Sequence, residues 1–286
     1  MELDKKTNIL IVGLGLMGGS YAMALTEKGY NVNAITKNEK DIDFALKKGI
    51  INYGTTTVEK ELVKNSNLII FALYPKIFVK WIKDYSDYFS HNTVITDVTG
   101  VKGCIVEQIQ SILPNGVEFI AAHPMAGRES KGVEYSDSSV FKEANYIVVP
   151  TQKNTKRAIS LCKSLGETLG FADISELSAQ EHDEMIAFLS QLTHCIAVSL
   201  MCANSNPNLV KYTGDSFRDL TRIANINDEM WSELFILNKT ALLKEMESYR
   251  ESFDKLYESV KNEDVFTMRE MMRTSSLRRK NFERKK

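Results

Sequence analysis

The chain has 286 residues, of which 43% are hydrophobic and 26% charged, and its formal net charge is −1 at pH 7. This size and composition predict a soluble globular protein of one or two domains, and the balanced charge gives no reason to expect nucleic acid or a membrane as a partner. The four cysteines are scattered without a CxxC pair, which favours a reduced, cytoplasmic protein over a disulfide framework or a zinc site, so no metal is expected.

Apolar runs typical of β-strands alternate with stretches of helical spacing in the first half of the chain. The predicted strands are NILIVG (8–13), NVNAIT (31–36), NLIIFAL (67–73), TVITDV (93–98), VEFIAAH (117–123) and NYIVVP (145–150). The predicted helices lie at 20–29, 40–49, 76–89 and 102–113, and a helix near 155–165 and a strand near 171–174 should close the layer. Strands that are apolar throughout and alternate with helices indicate a parallel sheet covered on both faces.

A glycine-rich loop directly follows the first predicted strand. Gly13, Gly15 and Gly18 form a G-x-G-x-x-G pattern between this strand and a helix. In such a loop the first glycine permits a tight turn, the second lets a pyrophosphate approach the backbone, and the third allows the helix to pack closely on the strand. The helix N-terminus attracts the phosphates. The pattern therefore predicts a dinucleotide site, and a merely structural turn is the alternative.

The end of the second predicted strand should distinguish NAD from NADP. A carboxylate about 20 residues after the glycines hydrogen-bonds the ribose 2′-hydroxyl of NAD, but residues 35–38 read Ile-Thr-Lys-Asn. Thr36 and Lys37 are suited to a 2′-phosphate, although Lys37 is equally compatible with a solvated loop. The cofactor is thus NAD or NADP, with a tilt toward tolerance of NADP. The predicted cofactor-binding residues are Gly13, Leu14, Gly15, Leu16, Met17, Gly18, Thr36, Lys37, Leu73 and Asp97.

The chain after about residue 176 is predicted to be helical. Glycine becomes rare, and long helices are predicted at 180–203, at roughly 228–257 and from 264 to the end. The segment 185–203 is apolar nearly all round, so we expect other helices, and partly a second subunit, to bury it. A membrane-spanning helix is the less favoured interpretation, because polar residues interrupt the apolar run between 190 and 194. The predicted fold is an α/β Rossmann-like dinucleotide-binding domain at 1–176 followed by an all-α domain at 177–286.

One of only four histidines, His123, ends the predicted strand at 117–123. Ligands bind at the carboxyl ends of the strands in open α/β sheets, and a histidine with an unperturbed pKa near 6.5 can accept a proton at neutral pH. A proton acceptor beside a hydride acceptor is what the oxidation of an alcohol or a hydroxylated ring requires. The residues alone therefore predict a dehydrogenase. The competing interpretation is a strand-end histidine bonded to a loop carbonyl.

Five motifs that occur in order carry a resemblance to a known family. They are GLGLMGGS (13–20), DVTGVKG (97–103), HPMAGRESKG (123–132), EHDEMIAFLSQLTH (181–194) and SFRDLTRIA (216–224), followed by Met230-Trp231. With them the chain resembles the prephenate and arogenate dehydrogenase family over essentially its whole length. The resemblance implies oxidative decarboxylation of prephenate to 4-hydroxyphenylpyruvate in tyrosine biosynthesis, with arogenate or cyclohexadienyl dehydrogenase activity as the alternative. It also implies a homodimer built on the helical half, which would contribute to substrate binding.

The resemblance implies roles for individual residues. His123 matches the histidine that hydrogen-bonds the 4-hydroxyl of the ring and assists its deprotonation, and His194 matches a second catalytic histidine. Arg222 matches an arginine that binds a substrate carboxylate, for which the planar guanidinium is suited. A structural salt bridge is the alternative for Arg222. The other substrate-binding residues implied are Thr99, Gly100, Glu129, Ser190, Asp219 and Trp231.

Several of these polar and aromatic residues also have other interpretations. Glu129 and Asp219 match acids near the substrate entrance, where they would pair with Arg222 when the site is empty. Packing at the pocket wall is the favoured role of Trp231. For His182 and the neighbouring Asp183 we favour a structural role, which is to cap and orient the start of the long helix.

Two departures from the family pattern bear on the pocket. The family often has serine at the position of Gly100, and Thr99 is the candidate to supply the missing hydroxyl. The second departure is Gln191, which stands where the family often has a histidine. Both departures favour a competing hypothesis of another class, a dinucleotide-binding sensor without catalytic activity. The retention of His123 and Arg222 favours the enzyme.

Overall fold

The computed structural model describes residues 3–128 and 130–282. By its internal contacts the chain divides into two compact units, Met1–Asn238 and Lys239–Lys286. The helices that follow residue 176 therefore belong in part to the first unit.

A six-stranded parallel sheet forms the centre of the first unit. Its strands are β1 (Asn8–Val12), β2 (Asn31–Ile35), β3 (Tyr53–Thr55), β4 (Leu68–Phe71), β5 (Val94–Asp97) and β6 (Glu118–Phe119), and their spatial order is β3-β2-β1-β4-β5-β6. The strand order reverses between β1 and β4, which is where dinucleotides bind in doubly wound sheets. This confirms the predicted Rossmann-like architecture, to which β3 is an addition.

Helices cover both faces of this sheet. They are α1 (Leu16–Glu27), α2 (Glu39–Lys47), α3 (Lys60–Lys64), α4 (Pro75–Tyr85), α5 (Gly103–Ile112) and α6 (Lys156–Leu169). All residues of β4 and β5 are buried, because apolar clusters pack on both sides of the sheet. Burial on both faces explains why these strands are apolar throughout rather than alternating.

The prediction of a single strand at 117–123 is wrong. β6 pairs with β5, and the chain then continues as β7 (Ala121–Pro124) in a second sheet of order β7-β8-β9. In this sheet β8 (Asn145–Val149) runs antiparallel to β7 and parallel to β9 (Asp173–Glu176), so the predicted strand at 145–150 does not join the parallel sheet. At the break the Ala122 amide donates to the side chain of Asp97 (3.0 Å) and not to the backbone of β5.

A continuous helix spans Ala179–Cys202 and consists of α7 (Ala179–Ile186), a π-helical segment (Ala187–Leu192) and α8 (Thr193–Cys202). By length and composition alone it is apolar enough to cross a membrane, a test that core helices of soluble proteins also pass. The expected burial holds only in part within one chain, since Phe188 and Met201 are about half exposed.

The predicted helix at 228–257 is interrupted. After α9 (Asp215–Thr221) and a short 3₁₀ turn (Arg222–Ala224), α10 runs over Asp228–Leu237 and α11 over Lys239–Lys261. The break falls at Asn238, whose side chain donates hydrogen bonds to the Asp183 carbonyl (2.9 Å) and to Gln191 Oε1 (2.8 Å). These buried partners fix Asn238 outside the regular helical path.

The second unit contains α11 and α12 (Val265–Lys280), which pack against each other. The turn between them places Glu263 at a φ of 55°. Asp264 caps α12 by accepting a hydrogen bond from the Thr267 amide. The helix therefore begins where its sequence predicted.

Candidate active site

The glycine loop has the geometry that a dinucleotide requires. Gly13 has a φ of +99°, and a Cβ atom there would lie 2.5 Å from the Ala72 carbonyl oxygen. A Cβ at Gly18 would lie 1.9 Å from the Gly13 carbonyl oxygen, whereas a Cβ at Gly15 would meet no atom within 4 Å. The first and third glycines are thus required by close packing, and the space over Gly15 leaves the backbone open to a pyrophosphate at the N-terminus of α1.

The other predicted cofactor residues differ in how much side chain they offer. Leu14 and Leu16 are buried in the core and can contribute only through their backbone. Leu73 lies beside the loop, with Cδ2 2.9 Å from the position of a Cβ at Gly13, and Met17 is partly buried against the core.

The loop after β2 carries the residues that would contact the adenosine ribose. The Thr36 amide donates to the Thr55 carbonyl (3.2 Å) and its side chain is buried, whereas Lys37 is exposed. Lys37 therefore remains the residue of this loop with a side chain free to reach a ribose substituent.

Asp97, predicted to bind cofactor, is instead fully buried at the end of β5. Its Oδ1 accepts from the Ala122 amide (3.0 Å), and its Oδ2 accepts from the Thr99 amide (3.0 Å) and from Lys102 Nζ (2.6 Å). Lys102 Nζ also donates to the Ala122 carbonyl (2.6 Å). This side-chain cluster joins β5 to β7 immediately before His123, so Asp97 has a structural role and no exposed surface for a cofactor.

Thr99 cannot supply the hydroxyl that Gly100 lacks. Its side chain is buried, and its hydroxyl contacts Asp97 Oδ2 and the Val101 carbonyl (3.0 Å for the latter). Lys102 Nζ donates to the same hydroxyl (3.2 Å). The hydroxyl is therefore fully engaged in the buried cluster, and the predicted contact of Thr99 with substrate is not supported by this arrangement.

His123 lies in β7, partly buried, and its ring contacts a second histidine. Its Nδ1 is 2.9 Å from His182 Nε2, and His182 Nδ1 is 2.8 Å from Asp183 Oδ1. Burial, together with the nearby His182 and Lys102, lowers the pKa of His123 well below its ordinary value. Burial also lowers the pKa of His182, although Asp183 opposes this. Both rings are therefore neutral at pH 7, as a proton acceptor must be.

The N-terminus of α5 holds the Asp183 carboxylate. The Lys102 amide donates to Oδ1 and the Gly103 amide to Oδ2, each at 2.8 Å. A carboxylate is stabilised at this end of a helix because the first-turn amides lack intrahelical partners and the helix dipole is positive there. The capping role predicted for His182 and Asp183 is wrong, since a capping box of Ser178 and Glu181 begins α7.

Helix α10 brings further predicted residues to the same place. A Cβ atom at Gly100 would lie 3.9 Å from His123 Cε1 and 3.5 Å from Leu234 Cδ1. One turn earlier on α10, Trp231 stacks on His194 with ring centroids 3.7 Å apart and planes at 29°. His123 and Gly100 thus lie next to one turn of α10, and His194 next to the preceding turn.

His194 is oriented by the π-helical segment. Its Nδ1 lies 2.8 Å from the Ser190 carbonyl oxygen, which also accepts from the Thr193 hydroxyl (2.7 Å). Such π-helical segments often occur at functional sites. Ser190 thus acts on His194 through its backbone, and its side chain is partly exposed.

Gln191 has a structural position. It is buried, donates from Nε2 to the Leu234 carbonyl (3.2 Å), and accepts from Asn238 at Oε1. It therefore ties the π-helical segment to α10, which carries Trp231 and Leu234. This departure from the family pattern removes a histidine but supplies a link that holds the pocket wall.

Arg222 begins the 3₁₀ turn that packs against α8, the helix of His194. Its side chain is exposed, as is that of Asp219 on α9. Glu129 lies outside the described residues. Of the predicted substrate residues, Gly100 therefore lies beside His123, Trp231 stacks on His194, and Arg222 lies on a turn that packs against the helix of His194.

His182, Asp183 and Lys102 are the site residues that sequence reasoning missed. Neighbouring polar residues in a helix give no indication of which side chain faces a catalytic group. One signal was available. His182 precedes Ile186 by one turn, so both lie on the same face of α7, which is buried. A polar residue on a buried helix face points to a specific polar partner.

Comparisons with known proteins relate both halves of the chain to one family. Residues 21–174 match the family model described as the prephenate dehydrogenase nucleotide-binding domain, and residues 178–274 match the prephenate dehydrogenase dimerization domain. The chain is 30% identical to a prephenate dehydrogenase of Bacillus subtilis, covering 91% of this chain and 72% of that protein. It is 26% identical to a cyclohexadienyl dehydrogenase of Zymomonas mobilis, covering 90% of this chain and 89% of that protein.

A solved structure extends the similarity to three dimensions. It is a prephenate dehydrogenase from A. aeolicus in complex with hydroxyphenyl propionate and NAD+, 30% identical, with a TM-score of 0.90 over 99% of this chain and 100% of that chain. The Rossmann-like N-terminal part and the helical C-terminal part are therefore both matched by sequence and by structure. The chain belongs to the prephenate dehydrogenase family and is a dinucleotide-dependent oxidoreductase.

Proposed function

We propose that the protein converts prephenate to 4-hydroxyphenylpyruvate and CO2 with NAD(P)+ as the oxidant. The observation that carries this function is the neutral imidazole of His123 beside Gly100, with its Nδ1 occupied by His182. Among the described residues no hydrogen-bond partner faces its Nε2, so this atom is available to a substrate hydroxyl. The family to which the chain belongs supports the choice of substrate.

The chemistry divides between the cofactor and the chain. The dinucleotide, when bound, supplies the acceptor for the hydride that leaves C4 of the ring. His123 accepts the proton of the 4-hydroxyl as the hydride leaves. The bond between the ring and its carboxylate then breaks, its electron pair completes the aromatic ring, and His123 returns the proton to the phenolate oxygen. The sum is prephenate plus oxidised dinucleotide giving 4-hydroxyphenylpyruvate, CO2 and reduced dinucleotide, so no net proton is required.

The remaining predicted residues would bind and enclose the substrate. Arg222 would bind a substrate carboxylate bidentately, and its position on the turn against α8 supports this. The stacked rings of His194 and Trp231 would form one wall of the pocket. Glu129 and Asp219 are retained as residues of the substrate entrance.

Measured turnover tests the function directly. Purified protein should be assayed with prephenate and with arogenate, each with NAD+ and with NADP+, by following reduced dinucleotide at 340 nm. Turnover of prephenate supports the proposal, and turnover of arogenate alone would select the alternative activity. The ratio of kcat/KM for the two dinucleotides would decide whether Lys37 favours the 2′-phosphate. Absence of turnover with every pair would favour the non-catalytic sensor.

We also propose that the protein is a cytoplasmic homodimer with a domain boundary between residues 176 and 177. The two family models meet between residues 174 and 178, and the second is described as a dimerization domain. Exposed apolar residues support an unfilled interface. They include Phe188, Leu189 and Met201 in the first unit and Leu243, Met246, Tyr249, Phe253, Tyr257 and Val260 in the second. In each unit, exposed apolar residues grouped in this way favour a protein or membrane contact, and the helical family domain favours a second copy of the chain.

A further inference from the structure

Two residues, His182 and Asp183, lie behind His123 and have no role in the mechanism described so far. The ring of His182 is fully buried between His123 and Asp183. Asp183 in turn is held by the amides of Lys102 and Gly103 at the start of α5. Three elements thus meet in one line of hydrogen bonds that ends at the proposed base.

The donors and acceptors along this line allow one assignment. The Asp183 carboxylate accepts from two backbone amides and can only accept, so His182 must donate from Nδ1. A neutral imidazole has one N–H, so His182 Nε2 is an acceptor. His123 must therefore donate from Nδ1 and carry no hydrogen on Nε2. That nitrogen is the one left for substrate.

We propose that His182 and Asp183 are positioning residues that hold His123 in the tautomer whose Nε2 accepts the substrate proton. The inference rests on the proposed function in that His123 is taken as the base. Without the pair, His123 distributes between two tautomers, and the one protonated on Nε2 cannot accept a proton there. A carboxylate that fixes a catalytic histidine through its second nitrogen has the same effect in serine proteases, a known example of this principle.

The pair also stabilises the protonated base. When His123 gains a proton, its Nδ1–H remains bonded to His182, and the negative charge of Asp183 lies directly behind. The charged and titratable groups that act on His123 are His182 from α7 and Lys102 from the start of α5. Asp183 lies behind them on His182, and Asp97 of β5 lies on Lys102. Lys102 opposes protonation of His123, and its charge is compensated by Asp97.

Nuclear magnetic resonance tests the tautomer without any turnover. The chain has four histidines, so ¹⁵N-histidine labelling of the full chain gives few signals, and His123→Asn assigns those of His123. We expect a protonated Nδ1 and an unprotonated Nε2 on His123, and a protonated Nδ1 on His182. A wild-type spectrum with the His123 proton on Nε2 would overturn the proposal. Because the NMR result does not depend on turnover, it tests whether His182 and Asp183 fix the His123 tautomer even if the proposed enzymatic function is wrong.

Substitutions test the consequence for catalysis. His182→Leu removes the acceptor for His123 Nδ1 and should lower kcat on the order of 10²-fold with little change in KM. His182→Gln retains both an acceptor for His123 and a donor for Asp183, so it should recover most of the activity. Equal losses in the two variants would contradict the proposal. If His182→Leu does not fold, Asp183→Ala, which leaves His182 without its acceptor, provides the same comparison.

The pH profile separates positioning from a merely structural role. Asp183→Asn removes the negative charge that lies behind His182. Protonated His123 is then less stable and its pKa falls, so the acid limb of the kcat profile should move to lower pH. The matched control is Glu184→Gln, which removes one negative charge from the next residue of α7, where the side chain is exposed and accepts a hydrogen bond from Gln180 (3.0 Å). An acid limb that stays in place in Asp183→Asn, or moves equally in the control, would overturn the proposal.

Discussion

His123 is held from both sides, by its backbone and by its ring. The Asp97–Lys102 cluster fixes the strand on which it stands, through the amide and carbonyl of Ala122. His182 fixes its Nδ1. If His123 is the base, as proposed, it does not have to be reoriented during the reaction, which is the advantage of preorganised catalytic groups.

Replacing His123 by Asn should remove the proton acceptor but retain a side chain of similar polarity. We expect kcat to fall by about 10²–10⁴-fold while KM changes little, the range for loss of general-base catalysis. Steady-state kinetics with prephenate measures both values, and thermal unfolding provides the control for folding. A kcat within a few-fold of wild type would assign the proton transfer to another group.

Arg222→Gln should affect binding more than chemistry. Loss of a charge-assisted hydrogen bond costs about 1.5–3 kcal/mol, which corresponds to roughly a 10- to 100-fold rise in KM. The matched control is Arg218→Gln on α9, since Arg218 is exposed and pairs with Asp215. An unchanged KM in Arg222→Gln would place the substrate carboxylate elsewhere.

Gly100 offers a gain-of-function test. A Cβ there would make contacts of 3.5–3.9 Å with Leu234 and His123, which are ordinary van der Waals distances. Gly100→Ser and Gly100→Ala should therefore both fold, with a similar small gain in stability of about 0.4–1 kcal/mol from the restricted unfolded chain. Only serine adds a hydroxyl beside His123, so its kcat/KM should exceed that of alanine. Equal values for the two variants would show that the hydroxyl contacts neither His123 nor substrate.

The residues foreseen from sequence were those whose role depends on local backbone or on a motif. Gly13 and Gly18 were assigned from their spacing alone, because a tight turn and a close packing distance are local requirements. The burial of Asp97 was not foreseen because one of its partners, the Ala122 amide, is brought to it by tertiary structure across 25 residues. The sequence also does not show that the nearby Lys102 side chain turns back onto Asp97 and Thr99. The same reason hid His182, which meets His123 across 59 residues of sequence.

Elements were predicted well where their pattern was long and less well where a single side chain interrupts it. The strands at 8–13, 67–73 and 93–98 were foreseen because burial on both faces makes them uniformly apolar. The division of 117–124 between two sheets depends on one hydrogen bond to Asp97, and the break at Asn238 depends on two bonds to α7 and Gln191. Periodicity does not report such contacts.

Asn238→Ala tests the link between α10 and the helix that carries the site. It removes the hydrogen bonds to the Asp183 carbonyl and to Gln191 Oε1 and leaves a buried acceptor unpaired, at a cost of about 1–3 kcal/mol in the free energy of unfolding. KM should also rise, because α10 carries Trp231. Urea unfolding at one fixed protein concentration measures the first effect. The control is Asn262→Ala, whose exposed side chain bonds the Glu258 carbonyl and should cost less. If the two variants lost the same free energy of unfolding, the buried hydrogen bonds of Asn238 would contribute no more to stability than an exposed one.

At the scale of the whole molecule, the second unit leaves apolar side chains exposed to solvent. Along α11 exposed apolar residues recur every three or four positions, so they form one stripe on this helix; they are Leu243, Met246, Tyr249, Phe253, Tyr257 and Val260. A single-chain protein rarely leaves such a stripe in water. The sequence predicts a second subunit for the helical half, and this stripe is a candidate surface for it. Composition did not identify the stripe, because it does not distinguish an intramolecular core from an interface.

Phe253→Lys places a charge in the middle of the stripe and should dissociate the proposed homodimer. Burying an unpaired ammonium in an apolar interface costs several kcal/mol, and 4 kcal/mol corresponds to about a 10³-fold weaker dimer. Sedimentation equilibrium at micromolar concentrations should give twice the mass of one chain for the wild type and one mass for the variant. The control, Glu251→Lys, also adds a lysine to α11, but at an exposed charged position, and should remain dimeric.

A wild type that is monomeric at tens of micromolar, or a dimeric Phe253→Lys, would show that the stripe is not the interface. The remaining alternative is that the stripe contacts a membrane. In that case the wild type should bind to lipid vesicles and should not dimerise, and it should be poorly soluble without detergent.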